Sequence, residues 1–116
     1  MKKIYDEEKE KNSTFEDDSC FKIIALGGEA KSKVRDSMEK IKEMDFIETK
    51  KLLKEIEEII NKAKVIQQNM LVKDLRRENI VVSSVLLNHA MDILITAESE
   101  LCIMRFICDL IESHHF

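Results

Sequence analysis

Apolar and charged positions alternate along this chain with the spacing of amphipathic helices. The clearest pattern follows Asp45, where apolar side chains recur in alternate steps of four and three: Leu52, Ile56, Ile59, Ala63, Ile66 and Met70. Lysine and glutamate side chains cover the other side of this segment, as expected for a helix with one buried face. Asp45 and Glu48 have the spacing of a capping box, so we predict a helix from Asp45 to about Val72.

A preceding helix is predicted from about Asp17 to Met44, where an acidic cluster at the start suits the positive end of the helix dipole. Its expected core residues are Phe21, Ile24, Val34, Met38 and Ile41. Gly27-Gly28 interrupts the segment, and each glycine costs about 1 kcal/mol in a helix relative to alanine. The pair therefore indicates a kink or the close approach of another helix. Residues 1–16 are charged, so we expect a mobile acidic tail before one domain over residues 17–116.

The third predicted helix begins after Ser83 or Ser84, either of which is a suitable N-cap, and ends near Ser113. Steps of three and four trace one heptad seam along it: Val82, Val85, His89, Asp92, Thr96, Ser99, Ile103, Phe106 and Leu110. This seam is apolar at both ends and polar in the middle. Because a seam position is expected to face a partner helix, an imidazole and a carboxylate there lose hydration and need a partner or a function.

Apolar side chains cover more than half of the circumference of this third helix. Beside the seam lie two further rows: Leu86, Ile93, Ala97, Met104, Ile107 and Ile111, and then Leu87, Leu94 and Leu101. Short connections make neighbouring helices antiparallel, so we predict an all-α protomer, an antiparallel up-down-up three-helix bundle. Two neighbours in such a bundle bury about one stripe each. The surplus apolar surface favours self-association through the third helices over a thicker intramolecular core.

Composition agrees with long helices and excludes several classes of function. The chain has two Gly and no Pro, and its net charge of −4 argues against a nucleic-acid surface, which needs clustered positive charge. No apolar run reaches membrane-spanning length and the N-terminus lacks a signal-peptide stretch, so we expect a cytoplasmic protein without membrane insertion. Cys20, Cys102 and Cys108 lack metal-site spacing, and we expect them to be reduced and buried.

Three interpretations of His89 are open from the residues alone. It could be an interior histidine with hydrogen-bond partners at both nitrogens, which is the commonest role of a histidine in a seam. It could bind a metal together with Asp92, although two ligands do not make a protein site and HExxH spacing is absent. It could also be a nucleophile that accepts a phosphoryl group. The chain has no loop for a nucleotide phosphate, so it would then relay a group received from another protein.

The segment from His89 to Thr96 reads His-Ala-Met-Asp-Ile-Leu-Ile-Thr. It resembles the third-helix hallmark His-Ala-Gln-Asp-His-Leu-Met-Thr of the lactose/cellobiose/diacetylchitobiose family of enzyme IIA components of the sugar phosphotransferase system (PTS). The sequence Gly28-Glu29-Ala30-Lys31-Ser32-Lys33 is similar to the family's Gly-x-Ala-Arg-Ser-x, and Asp45-Phe46 to its Gly-Asp-Phe turn. The resemblance covers the chain from about Cys20 to Glu112.

This resemblance implies a homotrimer, a nine-helix bundle in which His89 is phosphorylated by the carrier HPr. The phosphoryl group would pass to the cysteine of a cognate IIB component, which phosphorylates a sugar during uptake through IIC. Asp92 would meet its symmetry mates on the threefold axis around a divalent metal ion, for which we expect Mg²⁺. Gln67 matches a family glutamine that could bind the imidazole or the phosphate. An N-terminal extension and an overall length like those of the diacetylchitobiose and cellobiose members favour a β-linked disaccharide, of the diacetylchitobiose, cellobiose or lactose type.

Several positions depart from the family pattern. Met91 and Ile93 stand where the hallmark has Gln and a second His, Met44 replaces the Gly of the turn, and Lys64 replaces a histidine often found on the second helix. Lys64 could contact phosphate or be solvated. Two other functions stay open: a helical interaction module, and a histidine phosphotransfer domain of two-component signalling. The latter usually carries His-x-x-Lys-Gly, whereas Asp92 and Ile93 occupy those last two positions here.

Overall fold

The computed structural model describes the backbone of residues 2–76 and 85–114, and side chains over residues 17–73 and 85–114. This part of the chain forms three helices, α1 (Lys2–Lys42), α2 (Phe46–Arg76) and α3 (Val85–Ser113). No strand occurs within these ranges, which confirms the all-α class. The predicted N-caps of the third helix, Ser83 and Ser84, lie outside the described residues.

Ion pairs between the helices define the direction of each helix relative to its neighbours. They join Arg105 to Glu57, Lys50 to Glu112, Lys33 to Glu55 and Lys31 to Glu100. Partner numbers on α2 fall as those on α3 rise, so α2 and α3 are antiparallel, and the short turn before α2 makes α1 and α2 antiparallel as well. The predicted up-down-up bundle is confirmed for the protomer. The homotrimer stays a prediction.

Helix α1 differs in extent from its prediction. It begins at Lys2 rather than near Asp17, while the expected mobility of residues 1–16 stays a prediction. The helix also continues through Gly27 and Gly28, so the predicted interruption at this pair is wrong. The alternative reason for the pair, close approach of another helix, is correct for Gly27, which is buried against α3.

The buried face of α1 lies in a register different from the one predicted. From Cys20 its members follow steps of three and four, and Ser19 is buried beside the first of them: Cys20, Ile23, Gly27, Ala30, Val34, Ser37 and Ile41. Val34 and Ile41 were predicted correctly and Ile24 packs partly buried against the core, but Phe21 is 59% exposed and Met38 is 47% exposed. Small side chains in the buried row allow the helix backbones to approach closely, and they alternate with larger ones such as Ile23, while Phe21 and Met38 remain outside.

A tight turn joins α1 to α2. The N–H of Asp45 donates to the carbonyl of Lys40, and the N–H of Met44 donates to the carbonyl of Ile41, the paired bonds of a Schellman motif. Met44 has a φ of 60°, in the left-handed region where glycine is usual. The Oδ1 atom of Asp45 then accepts from the N–H of Glu48 at 3.1 Å, which confirms Asp45 as the N-cap of α2.

Helix α2 has the core that its periodicity predicts. Five of its six predicted core residues are buried, and the sixth, Ile66, packs partly buried against them. The expectation for the cysteines holds in part, because Cys20 and Cys108 are buried but Cys102 is exposed. Within the described residues, no helix is sufficiently long and apolar to cross a membrane.

Candidate functional site

His89 and Asp92 lie on the outward face of α3. The buried row of this helix consists of Ala90, Leu94, Ala97, Leu101, Met104 and Cys108. The described part of the predicted seam is exposed throughout: Val85, His89, Asp92, Thr96, Ser99, Ile103, Phe106 and Leu110. The two rows are offset by about two residues, or about 200° around the helix. The seam was expected to face a partner helix, and within the single chain it faces solvent.

His89 is held by the second turn of α3, and its side chain is exposed. The interpretation of His89 as an interior histidine, with both ring nitrogens hydrogen-bonded within the protomer, is therefore wrong for the single chain. The imidazole instead stands on a rigid helix at a surface that another protein can reach. Helix α3 is anchored immediately beside it, because the next residue, Ala90, is fully buried against the other helices.

Asp92 lies one turn after His89 on the same exposed face. Among the residues that the structure describes, no group of three His, Cys, Asp or Glu side chains could hold a metal ion. One chain therefore offers a single carboxylate at this position. A hard divalent cation needs about six oxygen ligands, so Asp92 fits such an ion only where carboxylates from further copies and water molecules complete the set.

Thr96 continues the polar part of the seam. Its hydroxyl donates to the carbonyl oxygen of Asp92 at 2.8 Å and also lies 3.1 Å from that of Ile93. The hydroxyl proton is thus turned back onto the helix, as is common for threonine within helices. The Oγ1 lone pairs remain on the exposed face, where they can accept a hydrogen bond.

Gln67 does not reach the imidazole within one chain. Its Nε2 lies 3.0 Å from the Sδ atom of Met91, and the amide is partly buried between α2 and α3. Met91 and His89 are two residues apart and therefore point to different sides of the helix. The structure brings Gln67 beside the segment that carries His89, where it holds the neighbouring side chain.

Lys64 forms an ion pair with Glu98 on α3. Glu98 follows His89 by nine residues, which corresponds to about 13 Å along a helix. Lys64 is therefore remote from the imidazole of its own chain. Lys64 is engaged with a carboxylate across the α2–α3 groove, and its side chain is 44% exposed, which agrees with a solvated lysine. Its contact with phosphate stays a prediction.

Burial and ion pairs raise the pKa of several side chains along the bundle. Burial raises the pKa of the Cys108 thiol, and Glu112 adds to this effect. A hydrogen bond to Glu112 raises the pKa of Lys50, as the carboxylate of Glu55 does for Lys33. These pairs connect the helices along their length, so the charge network supports the bundle rather than the surface around the imidazole.

Sequence reasoning missed one contact next to the site. Gly27 on α1 faces Ile93, the residue after Asp92, so closely that a Cβ at Gly27 would lie 2.2 Å from Cγ2 of Ile93. At Gly28 a Cβ would meet nothing within 4 Å. The glycine pair was visible in the sequence, but the sequence could not tell which member packs, because both occupy the interior of one helix.

Comparisons with known proteins agree with the hallmark on α3. The family model described as "PTS system, Lactose/Cellobiose specific IIA subunit" matches residues 18–112. The lactose-specific EIIA component of the PTS from Staphylococcus epidermidis is 32% identical over 76 residues, which cover 66% of this chain and 72% of that protein. No solved structure matches. The family match spans all three helices, and the chain therefore belongs to the lactose/cellobiose-specific IIA family of the sugar phosphotransferase system.

Proposed function

We propose that this protein accepts a phosphoryl group from phospho-HPr on His89 and passes it to the active cysteine of a cognate IIB component. Its family supports a phosphocarrier role in the sugar PTS and hence a transferase activity. The observation that carries the proposal is the exposure of His89 on the outward face of α3. A group exchanged between proteins has to be reached in turn by two different macromolecules, and an exposed imidazole meets that requirement.

The proposed chemistry consists of two transfers to and from one nitrogen. In the first, a neutral ring nitrogen of His89 attacks the phosphorus of phospho-HPr, and the nitrogen–phosphorus bond in HPr breaks as the new bond forms. In the second, the thiolate of the IIB cysteine attacks that phosphorus, and the imidazole of His89 leaves with its electron pair. Neither step consumes water or a nucleotide. Such transfers depend mainly on positioning and electrostatic stabilisation, which a rigid helix can supply.

We further propose that the protein works as a homotrimer whose α3 helices meet around a threefold axis. The support is the apolar part of the outward face, where Val85 is 88% exposed and Phe106 is 66% exposed. Ile103 and Leu110 extend the same row. A row of large apolar side chains on one face is typical of an interaction surface, and closed cyclic symmetry would bury it in identical fashion on each copy.

In this assembly the three Asp92 side chains would converge on the axis. Two carboxylates about 4 Å apart repel by about 4 kcal/mol at an effective dielectric constant near 20. Three of them would bind a cation or share protons, and their oxygen atoms suit Mg²⁺. A bound ion would neutralise the carboxylates, while His89, one turn earlier, would lie at the groove between subunits. Gln67 is proposed to support this groove.

Incubation with phospho-HPr followed by intact-mass analysis tests the carrier role. We expect the wild-type chain to gain one phosphoryl group with the acid lability of phosphohistidine. His89→Ala should fold and assemble but gain none. The matched control is His114→Ala, because His114 is also an exposed histidine on the C-terminal side of α3, and this variant should be labelled like the wild type.

Two results would contradict the proposal. Acid-labile labelling of His89→Ala would mean that another residue is the acceptor. A wild-type chain that gains no phosphoryl group would favour a helical interaction module, in which α3 only docks partners.

The proposed partners imply a cytoplasmic reaction at the inner side of a sugar permease. We propose a β-linked disaccharide of the lactose, cellobiose or diacetylchitobiose type as the transported sugar, entering through the IIC component. Support comes from the family description, lactose/cellobiose-specific. Phosphoryl transfer from this protein to IIB components of each type, measured as a rate, would identify the cognate system.

A further inference from the structure

The contact between Gly27 and Ile93 joins α1 to α3 beside the proposed acceptor. Gly27 is buried, and a Cβ added there would lie 2.2 Å from Cγ2, 3.5 Å from Cβ and 3.7 Å from the backbone carbonyl carbon of Ile93. The missing side chain therefore forms a notch in α1. The γ-methyl group of Ile93 occupies this notch, and the backbone of α3 passes directly behind it.

A second contact holds the same part of α3 from the opposite helix. Gln67 of α2 contacts the sulfur of Met91, two residues before Ile93. Helix α3 is thus held at position 91 by α2 and at position 93 by α1, on either side of Asp92. His89 lies one turn earlier on the same helix, so these contacts, together with buried Ala90, contribute to its rotation about the helix axis and to its position along that axis.

We propose that Gly27 is a positioning residue for phosphoryl transfer, acting through Ile93 on His89 and Asp92. The inference rests on the proposed function of His89. Ile93 is β-branched, and its χ1 angle has one strongly preferred value in a helix, so its methyl group cannot swing away at little cost. Any side chain at position 27 displaces α3 instead. The notch is therefore what allows α3 to bring the imidazole to its outward position.

The expected displacement is large enough to affect transfer. Ordinary contacts between carbon atoms lie at about 3.5–4.0 Å, so a Cβ at 2.2 Å requires a shift of about 1 Å or more. A misplacement of about 1 Å can lower the rate of a positioned reaction by about 100-fold. Folding need not be lost, because the long helices keep their other contacts.

The first test compares alanine at the two adjacent glycines. Gly27→Ala should lower kcat for acceptance from phospho-HPr by about 10- to 100-fold, with KM for HPr changed less, because the docking surface is retained. Gly28→Ala is the matched control, since a Cβ there meets nothing within 4 Å. It should keep the wild-type rate and raise the melting temperature slightly, because alanine favours a helix over glycine.

Second-site variants separate positioning from simple loss of stability. Ile93→Ala removes the methyl group that meets the new Cβ, so Gly27→Ala/Ile93→Ala should recover kcat to within a few-fold of wild type despite a lower melting temperature. Ile93→Val keeps both γ-carbon positions, so Gly27→Ala/Ile93→Val should remain slow. If the double alanine variant is both the least stable and the slowest, Gly27 has only a structural role and the positioning inference is wrong.

Backbone amide chemical shifts of residues 89–96 provide a readout that does not depend on phosphate. Gly27→Ala should change these chemical shifts, whereas Gly28→Ala should not. When Ile93→Ala is added to Gly27→Ala, the chemical shifts of the other residues should return towards their wild-type values. A wild-type chain that takes no phosphate would reject the proposed function, while these shifts would still test the notch. The positioning role alone would be rejected by a different result: the wild type is labelled on His89, and Gly27→Ala accepts phosphate equally fast with unchanged chemical shifts.

Discussion

The two faces of α3 are both rich in apolar side chains, yet only one of them packs within the protomer. The inward face presents Ala90 and Ala97, fully buried, among larger aliphatic residues. The outward face presents Val85 to solvent on one side of a polar centre that contains His89, and Ile103 and Phe106 on the other side. Hydrophobicity alone therefore does not decide which face joins the core. The smaller side chains let α3 approach its neighbours closely, and close packing contributes dispersion contacts that a looser interface loses.

The difference assigns separate roles to the two faces. The inward face fixes α3 to α1 and α2, whereas the outward face is available for other copies and for the proposed exchange partners. Variants of each face test this division.

Truncation of one leucine and one isoleucine, two positions apart on α3, gives the sharpest contrast. Leu101 is buried on the inward face, so Leu101→Ala should lower the free energy of unfolding by about 2–5 kcal/mol. Ile103 lies on the outward face, so Ile103→Ala should mainly weaken association, and its effect should depend on protein concentration by mass action. Urea unfolding at two protein concentrations measures both. If Ile103→Ala lowers the free energy of unfolding as much as Leu101→Ala does, at both protein concentrations, the proposed division of roles between the two faces is wrong.

Replacement of the outward carboxylate tests the proposed threefold axis. Asp92→Leu should keep or strengthen the trimer, by about 1–4 kcal/mol, because replacing a buried charged cluster with apolar groups is often stabilising. Sedimentation equilibrium with Mg²⁺ and with a chelator measures the change. We expect chelation to weaken the wild-type trimer and to leave Asp92→Leu unaffected.

Asp109→Leu is the matched control for this experiment. Asp109 is also an exposed carboxylate of α3, but it lines a groove with Lys50 and Lys54 of α2. It should respond to the chelator as the wild type does. If Asp92→Leu yields only monomers, the aspartates assemble the trimer and the proposed repulsion is not the dominant effect.

The sizes of the buried side chains explain which parts of the fold the sequence could predict. The α2 core was predictable, because large aliphatic groups such as Ile56 and Ile59 mark its heptad. The register of α1 was not, because small residues such as Ala30 and Ser37 share its buried row with Ile23 while Phe21 lies outside. Periodicity of large apolar groups identifies a helix, but the packing of small groups decides its orientation.

The candidate site also has one part that the sequence predicts and one part that it does not. The hallmark on α3 identified His89 and Asp92 as residues of one helix face, and helical periodicity is sufficient for that. The outward direction of the face depends on how three helices share their surfaces, which local spacing does not contain. The contact of Ile93 with Gly27 is likewise a product of packing between residues 66 positions apart.

The reactivity of two cysteines of α3 distinguishes exposed from buried positions of this helix, with a smaller expected effect. Cys102 is exposed and Cys108 is buried, so a thiol reagent should modify Cys102 at least about tenfold faster, because modification of a buried thiol requires local opening. Peptide mapping at successive times measures the two rates. Equal rates would show that α3 is not held firmly at Cys108.

The pH dependence of Cys108 has a definite sign. Burial raises its pKa in the folded chain, so the unfolded chain loses this proton first as the pH rises. The contribution of Cys108 to stability is therefore present below the ordinary thiol pKa and is lost as the pH rises through the folded pKa. Because the thiol reacts from the locally opened chain, its labelling rate should rise by about tenfold per pH unit below the ordinary thiol pKa.

The ion pair at the border between the two faces should have the smallest effect. Glu98→Gln removes the partner of Lys64, and because both side chains are more than a third exposed, the free energy of unfolding should fall by only about 0.2–1 kcal/mol. Phosphoryl transfer should stay at the wild-type rate, since the pair lies about 13 Å along α3 from His89. Lys64→Met should behave in the same way. If Lys64→Met slows transfer while Glu98→Gln does not, the ammonium group acts on phosphate directly, and it would have to reach the imidazole of a neighbouring copy rather than its own.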